Sequence, residues 1–216
     1  AFGLVRRLGN TITPAPMVSL RRLPTAPPPL QRDYLSVLGR LTRPPETLDL
    51  TPYATHPEPS VRREAVRLLL RREEARDATI VTALGDTDAR TVFLGLTAAQ
   101  EQCPAAAVPV IMKRVDRNEL DASLRVLGIR AVAGRRDEAT LPWLLSRVQR
   151  RTKWLKRLRL REKSPELLAA LGSLAVIWPV HPASQNALVM ARKSRDADVR
   201  HAAANTLANA AGRPVV

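Results

Sequence analysis

Glu58-Pro59-Ser60-Val61-Arg62, Asp86-Thr87-Asp88-Ala89-Arg90 and Asp196-Ala197-Asp198-Val199-Arg200 share one form. An acid is followed by two residues, then a small apolar residue, then arginine. A carboxylate just ahead of a helix caps it and favours its dipole, so each stretch reads as a helix start. Behind the first start, Val61, Ala65, Val66, Leu68 and Leu69 fall on one helical face. Leu120, Leu124, Leu127 and Ala131 repeat the spacing, as do Leu167, Leu171 and Leu174, and Val199, Ala203 and Leu207. Leu171 lies mid-stripe and is expected to be buried. No stretch alternates with period two for long enough to predict a strand.

Spacing turns these helices into repeats. The apolar anchors Val61, Ala89, Leu120, Leu167 and Val199 are separated by 28, 31, 47 and 32 residues. Three of the intervals lie near thirty, the length of a helix-turn-helix repeat. One helix pair cannot bury its apolar face alone, so neighbouring pairs are expected to stack into a continuous core.

The pattern over residues 56–211 resembles bacterial HEAT-like repeats, of the short kind also found in bilin lyases. The resemblance is carried by the acid-x-x-apolar-Arg openings, by Ala-rich stretches such as Val199-Arg200-His201-Ala202-Ala203-Ala204, and by the spacing. Two units depart from it: Leu120 is followed by Asp121, and Leu167 by Leu168, behind the start signal Ser164-Pro165-Glu166. The resemblance implies an all-α chain, a right-handed α-solenoid of about five helix pairs. It implies second helices lining a concave surface and a role in holding a partner. Fold alone does not supply function.

The 47-residue interval is longer than the others by about half a repeat. The surplus falls at 147–163, RVQRRTKWLKRLRLREK, with nine basic residues and one acid, Glu162. Trp154, Leu155 and Leu158 would share a face if the segment were helical. Three readings follow. The segment is a solvated extension of the preceding helix; or it docks an acidic protein or an anionic membrane surface, where a basic amphipathic segment can lie; or it contacts nucleic-acid phosphates independently of sequence. The expected partner-binding residues are Arg150, Arg151, Lys153, Trp154, Lys156, Arg157, Arg159 and Arg161. The favoured partner is a protein with an acidic surface, within a larger and even membrane-associated assembly. Nucleic acid is the alternative.

Composition agrees with this direction. The 216-residue chain carries 35 Lys and Arg against 20 Asp and Glu, a net charge of +15. Aromatics are 3%, which leaves an aliphatic core and argues against a base-stacking platform. One cysteine, Cys103, cannot form an internal disulfide or a cysteine-based zinc site, and is expected to be a buried, inert thiol. No run approaches the roughly 18 apolar residues of a membrane span.

Residues 1–30 hold six prolines and four arginines and no acid. Prolines at this density predict an extended basic arm, followed by a short helical cap at 31–55 and the repeat domain at 56–216. The opening Ala1-Phe2-Gly3-Leu4-Val5-Arg6-Arg7 reads as a plain linker, with the end of a membrane helix or a transit-like segment as the alternatives. A cytoplasmic location is expected, with a membrane tether upstream of Ala1 as one form of it.

Chemistry leaves little trace. His56, His181 and His201 precede Pro57, Pro182 and Ala202, so there is no His-Glu dipeptide of the HEAT-repeat hydroxylase kind and no HExxH. Lone histidines at helix starts are expected to be surface or capping residues. Phosphate-binding glycine loops and a GxSxG elbow are missing. Glu73-Glu74 and Asp137-Glu138 are expected to serve helix starts. HEAT-like proteins include alkylbase DNA glycosylases, which need a cleft with aromatic and acidic residues; Trp143, Trp154 and Trp178 fit helix faces as core instead. No catalytic, cofactor or metal residues are expected, and the chain reads as a non-catalytic scaffold.

Overall fold

The computed structural model describes residues 23–41, 48–151 and 158–211. Among these the protein is all-α apart from one small ribbon. The helices are α1 (Pro28–Leu38), α2 (Thr51–Ala54), α3 (Pro59–Leu69), α4 (Glu73–Leu84), α5 (Ala89–Glu101), α6 (Ala107–Asp116), α7 (Ala122–Gly134), α8 (Leu141–Val148), α9 (Pro165–Ile177), α10 (Pro182–Arg192) and α11 (Ala197–Ala211). Between α8 and α9 lie strands β1 (Gln149–Arg151) and β2 (Leu158–Leu160). The chain forms two compact units, one reaching to Gly95 and the other running from Leu96.

In the first unit α1 and α2 both pack on α3, and α4 follows α3. The stripe expected on α3 is real: Val61, Ala65, Val66, Leu68 and Leu69 are all buried. They meet Leu35, Leu38 and Leu50 from the preceding elements in one cluster. Pro59 sits in the first turn of α3, where a missing N–H costs nothing.

The boundary of the expected proline-rich arm needs correction. Residues 1–22 lie outside the described residues, but 23–30 belong to the fold. Leu23 begins a 3-10 turn and is buried in the first core. Pro28 and Pro29 open α1 instead of preventing a helix, because proline is tolerated in a first turn. Buried Gln31 on α1 fixes this corner by donating from Nε2 to the carbonyls of Ala26 (2.8 Å) and Pro24 (3.3 Å).

In the second unit α9 packs against α7 and against α11. The helices α6, α8 and α10 lie against these: α6 on α7, α8 on α9, and α10 on α9 and α11. Leu171 on α9 is fully buried, as its place in the stripe predicts. Trp143 and Trp178 are buried, and the Trp143 indole N–H donates to Asp116 at 2.9 Å.

Two anchors shift, Ala89 on α5 and Leu120 before α7. Ala89 is exposed at the start of α5, and the buried residues are Thr91 and Val92. Asp88, not Asp86, caps this helix, its Oδ2 accepting from the amide (3.0 Å) and hydroxyl (2.9 Å) of Thr91. The repeated Asp in Asp86-Thr87-Asp88 displaced the register by two residues.

Two glycines should respond oppositely to alanine. A Cβ at Gly95 would lie 2.9 Å from the Ala83 Cβ and 3.3 Å from the Leu84 amide nitrogen, neither of which can swing away. Gly95→Ala should destabilise by about 1–3 kcal/mol. At Gly172, within α9, a Cβ meets nothing within 4 Å. Gly172→Ala should stabilise by about 0.5–1 kcal/mol through helix propensity and unfolded-state entropy. Denaturant titration of both variants checks the pair of signs.

Truncation tests the corrected arm. Removing residues through Pro29 should lower the thermal midpoint by several degrees beyond removal of 1–22, because it takes Leu23 out of the core. Equal midpoints would return 23–29 to the arm.

Candidate functional site

The basic segment is held by a device that recurs along the chain. Arg62, one turn into α3, turns its Nη1 back to the carbonyls of His56 and Pro57, both at 2.8 Å. Arg200 in α11 does the same toward Ser194 (3.0 Å) and Arg195 (2.8 Å), and Arg125 in α7 toward Leu120 (2.6 Å). The guanidinium thereby satisfies carbonyls of the turn that leads into its own helix.

The fork of the same arginine reaches the acid that opens the next unit. Arg62 grips Asp86 with two bonds of 2.7 Å, from Nε and Nη2. Arg125 Nε donates to Glu166 Oε1 at 2.6 Å. These pairs are largely shielded, with side-chain exposures of 13% and 6% in the first and 21% and 17% in the second.

Arg125 removes one of the two apparent departures from the repeat. The opening of α7 is Asp121-Ala122-Ser123-Leu124-Arg125, which has the full acid-x-x-apolar-Arg form. Asp121 caps the helix from the Leu124 amide at 2.8 Å, and Leu124 is the buried anchor. Leu120, taken as the anchor, is buried in the turn before the helix. At the other departure Leu168 stands in the arginine position. There Lys163 supplies the charge, pairing with Asp196 at 3.1 Å and with Asp198.

Between Arg125 and Glu166 the chain makes its long detour. It leaves α8 at Val148, and Gln149 is already extended. Here the expected helical extension is replaced by an antiparallel ribbon, with Gln149 opposite Leu160, Arg150 opposite Arg159 and Arg151 opposite Leu158. Leu158 is therefore on a strand, 47% exposed, and not on a helical apolar face. The ribbon is held by ties at its ends: the Arg161 amide donates to the Val148 carbonyl, and the Gln149 side chain donates to the Met190 sulfur of α10. Leu158-Arg159-Leu160-Arg161 alternates with period two, the signal that identifies β2.

The root of the ribbon is tied to α8. The Arg161 amide donates to the Val148 carbonyl (2.9 Å), and its Nε donates to the Ser146 carbonyl (2.7 Å). These bonds serve carbonyls that the end of α8 leaves without helical partners. Arg147, just before the ribbon, pairs with Asp116 at 2.6 Å and lies over the Trp143 ring, 5.3 Å from its centroid.

The expected partner-binding residues thus separate. Arg150 and Arg159 are exposed and directly opposite each other, so their side chains share one face of the ribbon. Gln149 is on the other face and donates to the Met190 sulfur of α10 at 3.5 Å. Arg161 is at the root, against α8, and Arg151 is in β1 opposite Leu158. Lys153, Trp154, Lys156 and Arg157 lie outside the described residues.

The other candidates for chemistry serve structure. His181 caps α10, accepting from the Ala183 amide at 3.2 Å, and His56 accepts from the Glu58 amide at 3.0 Å. The Cys103 thiol is buried and donates to the Pro104 carbonyl at 3.8 Å. Glu73 and Glu74 occupy the first turn of α4. Among the described residues no group of three or more His, Cys, Asp or Glu side chains could hold a metal ion, and no helix is long and apolar enough to cross a membrane.

No family model matches the chain, and neither a curated protein nor a solved structure matches it.

Four of the acids at helix starts, Asp86, Asp121, Glu166 and Asp196, titrate below their ordinary range. Burial pushes the Asp86 carboxyl up, but hydrogen bonds from Arg62 and the Asp88 amide, with the Arg62 charge, outweigh it and hold it low. Glu166 is lowered in the same way, burial opposing its own amide and Arg125. For Asp121 and Asp196 the amides they cap, Leu124 and Val199, are the largest cause of the lowering.

A carboxyl with a depressed folded pKa contributes stability that is present above its unfolded pKa and lost as pH falls through the folded value. The thermal midpoint should therefore hold at neutral pH and fall below about pH 4. Asp86→Asn should lower the midpoint at pH 7 and make the acid decline shallower. An acid decline as steep as that of the unaltered chain would show that Asp86 does not contribute to it.

Proposed function

We propose that the protein is a non-catalytic scaffold, a right-handed α-solenoid of HEAT-like helix pairs whose basic ribbon docks an acidic protein partner. In this reading it is a peripheral subunit of a larger assembly in the cytoplasm. The single observation that carries the proposal is the Arg150–Arg159 pair. Like charges directly opposite in a ribbon destabilise it, and no carboxylate pairs with either arginine among the described residues. At the two ends of the segment the charges are matched: Arg147 by Asp116, and Lys163 by Asp196 and Asp198. An isolated two-stranded ribbon is marginal in water, so a repulsive pair at its centre works against the fold. An anionic partner relieves that repulsion.

The clamps supply a second support. They fix the ends of the detour through Arg125 and Glu166 and through Arg161 and Ser146, so the ribbon is presented from a braced root. A scaffold that recognises a protein gains from such preorganisation, because less ordering remains to be done on binding.

The test compares binding to an acidic polyglutamate peptide, duplex DNA and vesicles of anionic lipid. Arg150→Gln with Arg159→Gln should leave the fold intact or slightly stabler. It should weaken peptide binding by roughly tenfold or more at low salt, the loss shrinking as salt rises. Unchanged peptide binding by the double variant would overturn the proposal. Tighter binding of DNA or of vesicles than of the peptide at equal salt would overturn the assignment to a protein partner.

A further inference from the structure

Three arginines from three parts of the chain line one small cavity at the ribbon's root. The cavity is about 210 Å³ and is bounded by Arg125 of α7, Arg147 of α8 and Arg161 after β2, with Asn118, Ser164 and Glu166. Its lining carries three guanidinium cations and one carboxylate, Glu166, and Asp116 stands behind Arg147. Against Glu166, paired with Arg125, and Asp116, paired with Arg147, the cluster keeps one cation in excess, Arg161, whose Nε bonds only the neutral Ser146 carbonyl.

Hydrogen-bonding capacity remains after those partners are counted. A guanidinium carries five N–H donors. Arg161 spends its Nε on Ser146 and pairs with no carboxylate among the described residues. Arg147 has its Nε buried without an acceptor. Like charges gathered in a partly enclosed space repel, and the repulsion is relieved by an anion between them.

We propose that this cavity is a binding site for a phosphate group. The choice of anion follows from geometry and charge. Arginine forks recognise phosphate and carboxylate oxygens two at a time. A carboxylate is planar, and one fork occupies it. Guanidinium groups that line the cavity from α7, α8 and the end of the ribbon offer their remaining N–H donors to a tetrahedral anion, whose four oxygens accept from several directions. The cavity has room for a phosphate group and is partly open to solvent, so the rest of a larger molecule would lie outside it. The amide end of α9 is not the recognition element: Pro165 lacks an N–H and the Leu167 amide donates to Ser164 Oγ. The site is made of guanidinium groups, and Glu166 within it sets an upper limit on affinity.

The proposal stands apart from the docking role of the ribbon, whose exposed pair is Arg150 and Arg159. The full chain is titrated with inorganic phosphate, with glycerol phosphate as an attached phosphate group, and with acetate at equal ionic strength. Calorimetry measures affinity, and NMR follows the Nε–H signals of Arg125, Arg147 and Arg161. Inorganic phosphate should bind and move these signals, and acetate should not. Stronger binding of glycerol phosphate would place the natural phosphate on a larger molecule; stronger binding of the free anion would identify it as the ligand. Arg161→Gln should weaken phosphate binding roughly tenfold, with Arg161→Lys intermediate, since lysine keeps charge without the fork. Glu166→Gln should tighten it, a result that a purely structural role for Glu166 does not give. The Arg150→Gln, Arg159→Gln double variant should bind phosphate as the unaltered chain does, which separates this site from the peptide-docking test. Absence of phosphate binding at concentrations on the order of 10 mM, a millimolar-class ceiling, would overturn the proposal. So would equal binding of acetate, unchanged binding by Arg161→Gln, or weaker binding by Glu166→Gln.

Discussion

The arginine one turn into a repeat helix does two jobs with one planar group. One nitrogen, Nη1, faces back to the turn that brought the chain into the helix, and the rest of the fork faces forward to the acid opening the next unit. Lysine cannot do this, because its donors radiate from a single point. A shielded ion pair of this kind is weak evidence for net stability, since desolvation offsets much of the attraction. Its value is in register. Asp86 can be satisfied in few places once it is 6% exposed, and Arg62 provides that place. The helices around the pair are set by the same requirement.

The limits of what the residues reveal follow from this. Apolar stripes were readable, and Leu171, Val61 and Val66 are buried where their periodicity puts them. The arginine motif was readable as a pattern, but its frame was not. Thr91 is buried in place of Ala89 because two aspartates two residues apart offered two caps, and only the three-dimensional bond to the Thr91 hydroxyl chooses between them. At α7 the apolar period from Leu120 to Leu124 hid the same motif one turn later. The fold-back of Arg62, Arg125 and Arg200 onto carbonyls leaves no mark in composition, since any residue provides a carbonyl.

The basic segment shows a different kind of gap. Its charge was visible and its conformation was not. Leu158-Arg159-Leu160-Arg161 is a short alternation next to a long helical pattern, and three-residue strands lie below the length at which periodicity decides. The face that carries Arg150 and Arg159 follows from register, and register follows from the tie between Arg161 and Val148. The arginine-lined cavity was invisible for the same reason. Arg125 and Arg161 are 36 residues apart in sequence, and what brings them to one cavity is the return of the ribbon to its root.

That return has a consequence for how the protein can change. Arg161 and Val148 are joined by backbone, and Arg125 and Glu166 by an ion pair, so both ends of the detour are moored independently of what lies between them. Lengthening a loop whose ends are already fixed adds only about 0.6 kcal/mol per doubling. Lengthening the connection between β1 and β2 should therefore cost the helices little, while the strands keep their contacts with α8 and α10. The ribbon is a socket: its connection can change length without re-solving how the chain folds, and a designed loop can be grafted between the same two posts.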